Sequence, residues 1–170
     1  IPQIVHHFFT TVIRGVEQMA REHNYNVLIT LSNNDFDKEV LNMELLANGS
    51  TDGFILSLSK ETLQKDDFRH LTEAIDQGMP VVMFDRVVDE IPCDKVLIDD
   101  REGAKLGVNH LIKTGCKKIA IITTEDYITV GKLRTKGYIE ALESAGITVD
   151  PSLILKLDVI DALDDKPMAR

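Results

Sequence analysis

The chain has 170 residues, 44% apolar and 28% charged, with 19 Lys and Arg against 28 Asp and Glu for a net charge of −9. That apolar content is enough to close a core, which excludes a disordered chain, and no apolar run reaches the roughly 18 residues a membrane-spanning helix requires. The acidic excess excludes a segment that clamps a phosphate backbone by its own charge.

Residues 1–5 read as the end of a first strand. The stretch 10–22 puts Val12, Ile13, Val16, Met19 and Ala20 on one helical face, with Arg14, Glu17, Gln18 and Arg21 largely opposite. Residues 25–31 are apolar on both faces, as a buried parallel strand is. Ser32-Asn33-Asn34-Asp35 is turn and cap chemistry before a helix at 37–48, and Gly49 ends that helix. A strand at 52–58, a helix at 61–77 closed by Gly78, and a strand at 80–85 follow. Pro80 lacks an N–H for a ladder and therefore belongs at a strand start.

A polar connector leads to a short strand at 95–99 and a helix at 101–114, with Ala104, Val108, Leu111 and Ile112 inward and Gly115 as its stop. Then come a strand at 118–124, a helix at 129–145 ending at Gly146, an Asp150-Pro151 turn and a strand at 153–155. The charged tail from Asp161 carries no assignment. The strands recur every 25–30 residues or so, but no motif repeats in phase, so the pattern is a βα layer rather than a solenoid. The fold class is α/β, with parallel sheets covered by helices and a subdomain boundary at the acidic Asp99-Asp100 connector. This gives an N-terminal subdomain over 1–99 and part of a second over 100–170. With Ile1-Pro2 at one end and Pro167-Met168-Ala169-Arg170 at the other, both ends read as cut.

Motifs for chemistry are few. There is no GxGxxG, GxxxxGK[ST], GxSxG, HExxH or CxxC, so dinucleotide, P-loop, hydrolase and zinc readings lack their ligating groups. Cys93 and Cys116 lie too far apart for a disulfide framework, and a reducing cytoplasm is the expected setting. His6-His7 reads as a solvated loop, and the pairs Asp66-Asp67 and Asp99-Asp100 as helix capping. No enzyme, cofactor or metal is expected.

The interesting side chains stand where open parallel sheets place their ligand crevices, at the carboxyl ends of strands. Phe8-Phe9 follows the first strand; adjacent rings cannot both bury in one direction, so one of them is free to stack on a sugar or a base. Ser57 ends one strand. Asp85-Arg86 ends another, either as a local ion pair or cap or as a carboxylate and guanidinium for a polyol ligand. Arg134 lies one turn into the helix after the 118–124 strand, between Lys132 and Lys136.

Taken in order, these residues resemble the effector-binding core of LacI-family bacterial transcription regulators. The carriers are Pro2, Phe8-Phe9, Gly15 and Glu17; Asn33-Asn34-Asp35; Thr51-Asp52-Gly53-Phe54-Ile55-Leu56; and Pro80-Val81-Val82-Met83-Phe84-Asp85-Arg86. Gly103-Ala104, Gly107, His110-Leu111, Gly115, Lys118-Ile119-Ala120, Arg134 and Gly137-Tyr138 follow at matching spacing. The chain departs from the family pattern at His6-His7, at Asp100 in place of an Asn, and at Ile122-Thr123-Thr124, which lacks a Gly-rich turn.

The resemblance implies a type I periplasmic-binding-protein-like fold of two similar subdomains, the second incomplete, with a small sugar-like effector in the cleft between them. It further implies a homodimer in the cytoplasm, no membrane partner, and operator DNA read by a helix-turn-helix headpiece that this chain does not contain. The implied ligand-binding residues are Phe8, Phe9, Ser57, Asp85 and Arg134, with Arg86 adjacent. A periplasmic sugar-binding protein of an ABC transporter is the alternative, because the same fold serves both roles.

Overall fold

The computed structural model describes residues 1–4 and 7–158; Val5, His6 and the tail from Asp161 lie outside the described residues. Over the described residues the chain divides into two compact units, one within Ile1–Lys95 and the other from Val96 to Asp158.

In the first unit α1 spans His7–Glu22, α2 Phe36–Ala47, β1 Phe54–Leu56, α3 Lys60–Lys65, α4 Arg69–Asp76 and β2 Val81–Phe84. β1 and β2 pair in parallel with Phe54 opposite Val81 and Leu56 opposite Met83, and β3, Asp94–Val96, continues the sheet in the order β1-β2-β3. The expected α1 face is the half-buried one, except that Met19 is exposed. Leu56, Leu58, Leu63, Leu71, Val81, Met83 and Val87 form the core.

Three expectations fail here. Residues 25–31 form no strand, and neither do residues 1–4, the described part of the expected first strand. The Ile1 amino group donates to the Thr30 carbonyl and the Ser32 N–H to the Ile1 carbonyl, both at 3.0 Å, which is one step of a parallel ladder. The segment joins no sheet among the described residues, and Tyr25, Leu28 and Ile29 are exposed rather than buried. The single helix at 61–77 is also wrong: Asp66 takes a left-handed conformation, φ 53°, and its N–H caps α3 by donating to the Thr62 carbonyl. Asp67 then accepts from the Arg69 N–H and guanidinium at the start of α4. Short carboxylates compete with the helix for backbone bonds, and two in succession break it.

The hydrogen bonds from the exposed Arg69 hold the half-buried Asp67 carboxyl down at about 2. Because the folded value lies below the unfolded one of about 3.9, the stabilisation is present above that range and is lost as pH falls through it. Asp67→Asn should therefore flatten the acid limb of the unfolding midpoint between about pH 4 and 2, measured by thermal melts across pH, while leaving the midpoint at pH 7 slightly lower.

In the second unit α5 spans Asp100–Lys113, β4 Ile121–Thr124, α6 Thr129–Ser144 and β5 Ile154–Leu157, after a 3-10 turn at Pro151–Leu153. β4 and β5 are parallel, with Ile121 opposite Ile154 and Thr124 opposite Leu157. Val108, Ile119, Tyr138, Ala141 and Leu142 make the core. Tyr138 is its largest member and donates from its hydroxyl to the Ile119 carbonyl at 2.8 Å, so its one polar atom is satisfied. Of the expected inward face of α5, Val108 is buried, Ala104 and Ile112 half-buried, and Leu111 exposed. Gly78 and Gly115, with φ of +83° and +95°, stop α4 and α5 as expected. The Asp99 carboxylate caps α5 by accepting from the Glu102 N–H at 2.9 Å.

Candidate functional site

Parallel pairing in register brings the carboxyl ends of β1 and β2 side by side, and the Leu58 N–H ties them together by donating to the Arg86 carbonyl at 3.2 Å. Ser57 emerges from β1 fully buried, and its hydroxyl has no hydrogen-bond partner among the described residues. An unpaired buried hydroxyl costs about 1–3 kcal/mol, so a donor or acceptor reaching this atom recovers that cost. From β2 the backbone turns at Asp85, φ +59°, a left-handed conformation that only a small share of non-glycine residues adopt.

Arg86 is buried, and its Nη1 donates to Asn34 Oδ1 at 2.7 Å. Asn34, itself left-handed at φ 61°, also accepts the Lys60 N–H on that oxygen and the Glu61 N–H on its carbonyl. Arg86 is thus a strut between the β2 end and the turn before α2.

The first turn of α1 lays two rings beside the end of β2. Phe9 is 4% exposed and meets Phe84 edge-on at 6.1 Å between centroids; Phe8 lies 5.3 Å from Phe9 and is 50% exposed. One ring is core and its neighbour is open, as adjacent positions on a helix require. His7 is exposed.

Arg134 stands in the second unit. Its Nε donates to Asp100 Oδ1 at 2.7 Å, with the Arg134 side chain 52% exposed and that of Asp100 only 7%. Lys132 and Lys136 on the same helix are exposed. The structure therefore gathers Phe8, Phe9, Ser57, Asp85 and Arg86 around two strand ends of the first unit, and holds Arg134 on α6 of the second against a carboxylate.

Sequence reasoning missed Asn34 as an acceptor for Arg86, Asp100 as the partner of Arg134, and a buried knot behind Ser57. In that knot Glu39 accepts from the Ser59 N–H, the Thr62 hydroxyl and His70 Nε2. Each partner lies 20 or more residues from Glu39 in sequence, so no local pattern marks them. Among the described residues no group of three or more His, Cys, Asp or Glu could hold a metal ion, and no helix is long and apolar enough to cross a membrane.

The family model described as periplasmic binding proteins and sugar binding domain of the LacI family matches residues 1–165. The HTH-type transcriptional repressor CytR of Escherichia coli K12 is 30% identical over 170 residues, covering 99% of this chain and 48% of that protein. The crystal structure of the transcription regulator CcpA of Lactococcus lactis superposes with a TM-score of 0.78 at 29% identity, over 92% of this chain and 56% of that one. A LacI family transcriptional regulator from Enterococcus faecium, with bound ribose, gives 0.74 at 25% identity, over 93% and 55%. The chain spans about half the length of the curated relatives it matches. Parallel strands flanked by helices, with a family pattern running through residue 165, establish that this chain belongs to the LacI family of periplasmic-binding-protein-like, sugar-binding domains.

Proposed function

We propose that the chain is the effector-binding part of a LacI-type transcription regulator, with residues 1–99 as its N-terminal subdomain and 100–170 as part of its C-terminal one. It senses a small sugar-like metabolite through Phe8, Phe9, Ser57, Asp85 and Arg86 of the first unit and Arg134 of the second. It works as a cytoplasmic homodimer without catalytic turnover, and reaches operator DNA through a headpiece outside this chain. Effector binding favours one arrangement of the protein and so changes operator affinity, a coupling of about 1–3 kcal/mol.

The observation that carries this reading is the pair of groups at the strand ends: a buried Ser57 hydroxyl with no partner among the described residues, and an exposed Phe8 ring. A hydroxyl and a ring face are what a sugar needs, since its edge hydrogen-bonds while its C–H face stacks. The ribose bound to the Enterococcus faecium regulator supports a sugar, and the repressor CytR supports regulation over solute transport.

Isothermal calorimetry with D-ribose tests the site. Arg134→Ala should weaken binding more than about tenfold, the value of a hydrogen bond from a charged donor. Folding should lose only about 1 kcal/mol or less, because Asp100 stays in the first turn of α5, where free N–H groups stabilise a carboxylate. Unchanged affinity would remove Arg134 from the site. A thermal-shift screen of pentoses, hexoses and nucleosides tests the wider reading, because a ligand of the folded state raises the midpoint by mass action. A flat response across all of them would refute it.

A further inference from the structure

The Arg134 guanidinium is already engaged. Asp100 takes its Nε at 2.7 Å from a nearly buried position, while the arginine side chain is half open to solvent. Among the described residues Asp100 is its one hydrogen-bonding partner, so neither Nη group spends a donor there. The pair is supported by more than its own contact. Asp100 is set by the helix start, where the Asp99 carboxylate caps α5 and the Asp100 N–H donates to the Ile98 carbonyl at 3.0 Å. One residue on, Arg101 grips Glu140 of α6 through two bonds, Nε to Oε2 at 2.8 Å and Nη2 to Oε1 at 2.5 Å. The register of α5 against α6 therefore holds carboxylate and guanidinium face to face.

We infer that Asp100 is the positioning residue that sets the charge class of the effector: it pins Arg134 through Nε, cancels its charge, and so leaves a pair of N–H donors suited to a neutral sugar and unsuited to a phosphorylated or carboxylated one. The inference rests on the reading of Arg134 as a ligand contact. A bare arginine is a strong phosphate receptor, because its fork matches two anionic oxygens. With Asp100 behind it, the fork keeps its geometry but loses the net charge that would compensate an anion. A phosphate seated on the Nη edge would also face the Asp100 carboxylate a few ångströms further in, and like charges placed together in a site are strongly disfavoured. A sugar hydroxyl accepts from Nη–H without that penalty.

The test uses the intact chain and paired probes: D-ribose with ribose 5-phosphate, D-fructose with fructose 1-phosphate and D-glucose with glucose 6-phosphate, titrated by calorimetry into wild type, Asp100→Asn and Asp100→Glu. Wild type should prefer the neutral member of the pair it binds by at least about tenfold. Asp100→Asn, which keeps an acceptor for Nε but removes the charge, should improve the ester by about tenfold while leaving the neutral sugar within about threefold, and Asp100→Glu should retain the wild-type preference. A merely structural role for Asp100 would lower both members together and leave their ratio unmoved.

Two results overturn the inference alone: a wild type that binds the ester more tightly than the sugar, or a ratio that does not move in Asp100→Asn. Failure of every sugar and ester to bind wild type would overturn the sugar-sensing reading and the inference with it. The wild-type arm decides even if a variant folds poorly.

Discussion

Replacing Glu39 with alanine is expected to destabilise the first unit by about 3–5 kcal/mol, the usual cost of removing one partner from a buried charged network. Glu39 points from α2 into the space between α3 and α4 and is 6% exposed. One of its oxygens accepts from the Ser59 N–H at 2.6 Å, the other from the Thr62 hydroxyl at 2.6 Å and His70 Nε2 at 3.2 Å. A carboxylate can only accept, so Nε2 is the donor in this contact, and the buried His70 Nδ1 has no partner among the described residues. The Thr62 hydroxyl spends its proton on Glu39, which makes the Ser59 hydroxyl the donor in their 2.7 Å contact.

Alanine would strip acceptors from a backbone N–H, a hydroxyl and an imidazole at once, all of them buried. Urea unfolding followed by circular dichroism measures the loss. Glu39→Gln keeps one oxygen and turns the other into a donor facing donors, so it should fall between, at about 1–3 kcal/mol. Glu39 also fixes Ser59, two residues beyond Ser57, so effector affinity should drop in both variants. A midpoint for Glu39→Ala within about 0.5 kcal/mol of wild type, the usual scatter of a neutral surface change, would show the knot to be energetically idle.

What was legible in the sequence was whatever is set by neighbours a few residues apart. The apolar spacing of α1 and α5 located those helices, and Gly78 and Gly115 marked ends because a positive φ is a local demand. Adjacent Phe8 and Phe9 told that one ring would bury and one would not. The apolar run at 25–31 misled, because β-branched composition says that a segment can be extended and not that a second strand lies beside it. Asp66-Asp67 was read as capping, which is what these residues do, but in the middle of a presumed helix their effect is to end it and start another.

Long-range pairings were out of reach for a physical reason. In an acidic chain any of many carboxylates could have faced Arg134, and Asp100 was grouped with Asp99 as a capping pair. Asp99 does cap α5. Asp100, one step around the helix, turns about 100° away and meets a side chain 34 residues downstream. Only the packing of α5 on α6 creates that meeting.

That packing depends on a missing side chain, and Gly137→Ala is expected to cost about 3 kcal/mol, at the top of the range for overpacking a close contact. A Cβ built on Gly137 would sit 2.0 Å from the Arg101 carbonyl oxygen and 2.9 Å from its carbon, with the Ala104 methyl at 3.2 Å. The obstacle is backbone, so no rotamer change relieves it and the helices must separate. Alanine in place of glycine favours a helix intrinsically by about 1 kcal/mol, so a net loss reports the clash directly. Gly107→Ala on α5, where the new methyl meets nothing within 4 Å, is the control and should stabilise by up to about 1 kcal/mol. Separation would stretch both links of α5 to α6, Arg101 to Glu140 and Asp100 to Arg134. Gly137→Ala should therefore loosen the preference for neutral over phosphorylated sugars as well as lower the urea midpoint. If it melts like the Gly107 control and keeps the wild-type sugar preference, then close approach of the helices is not what holds Asp100 against Arg134.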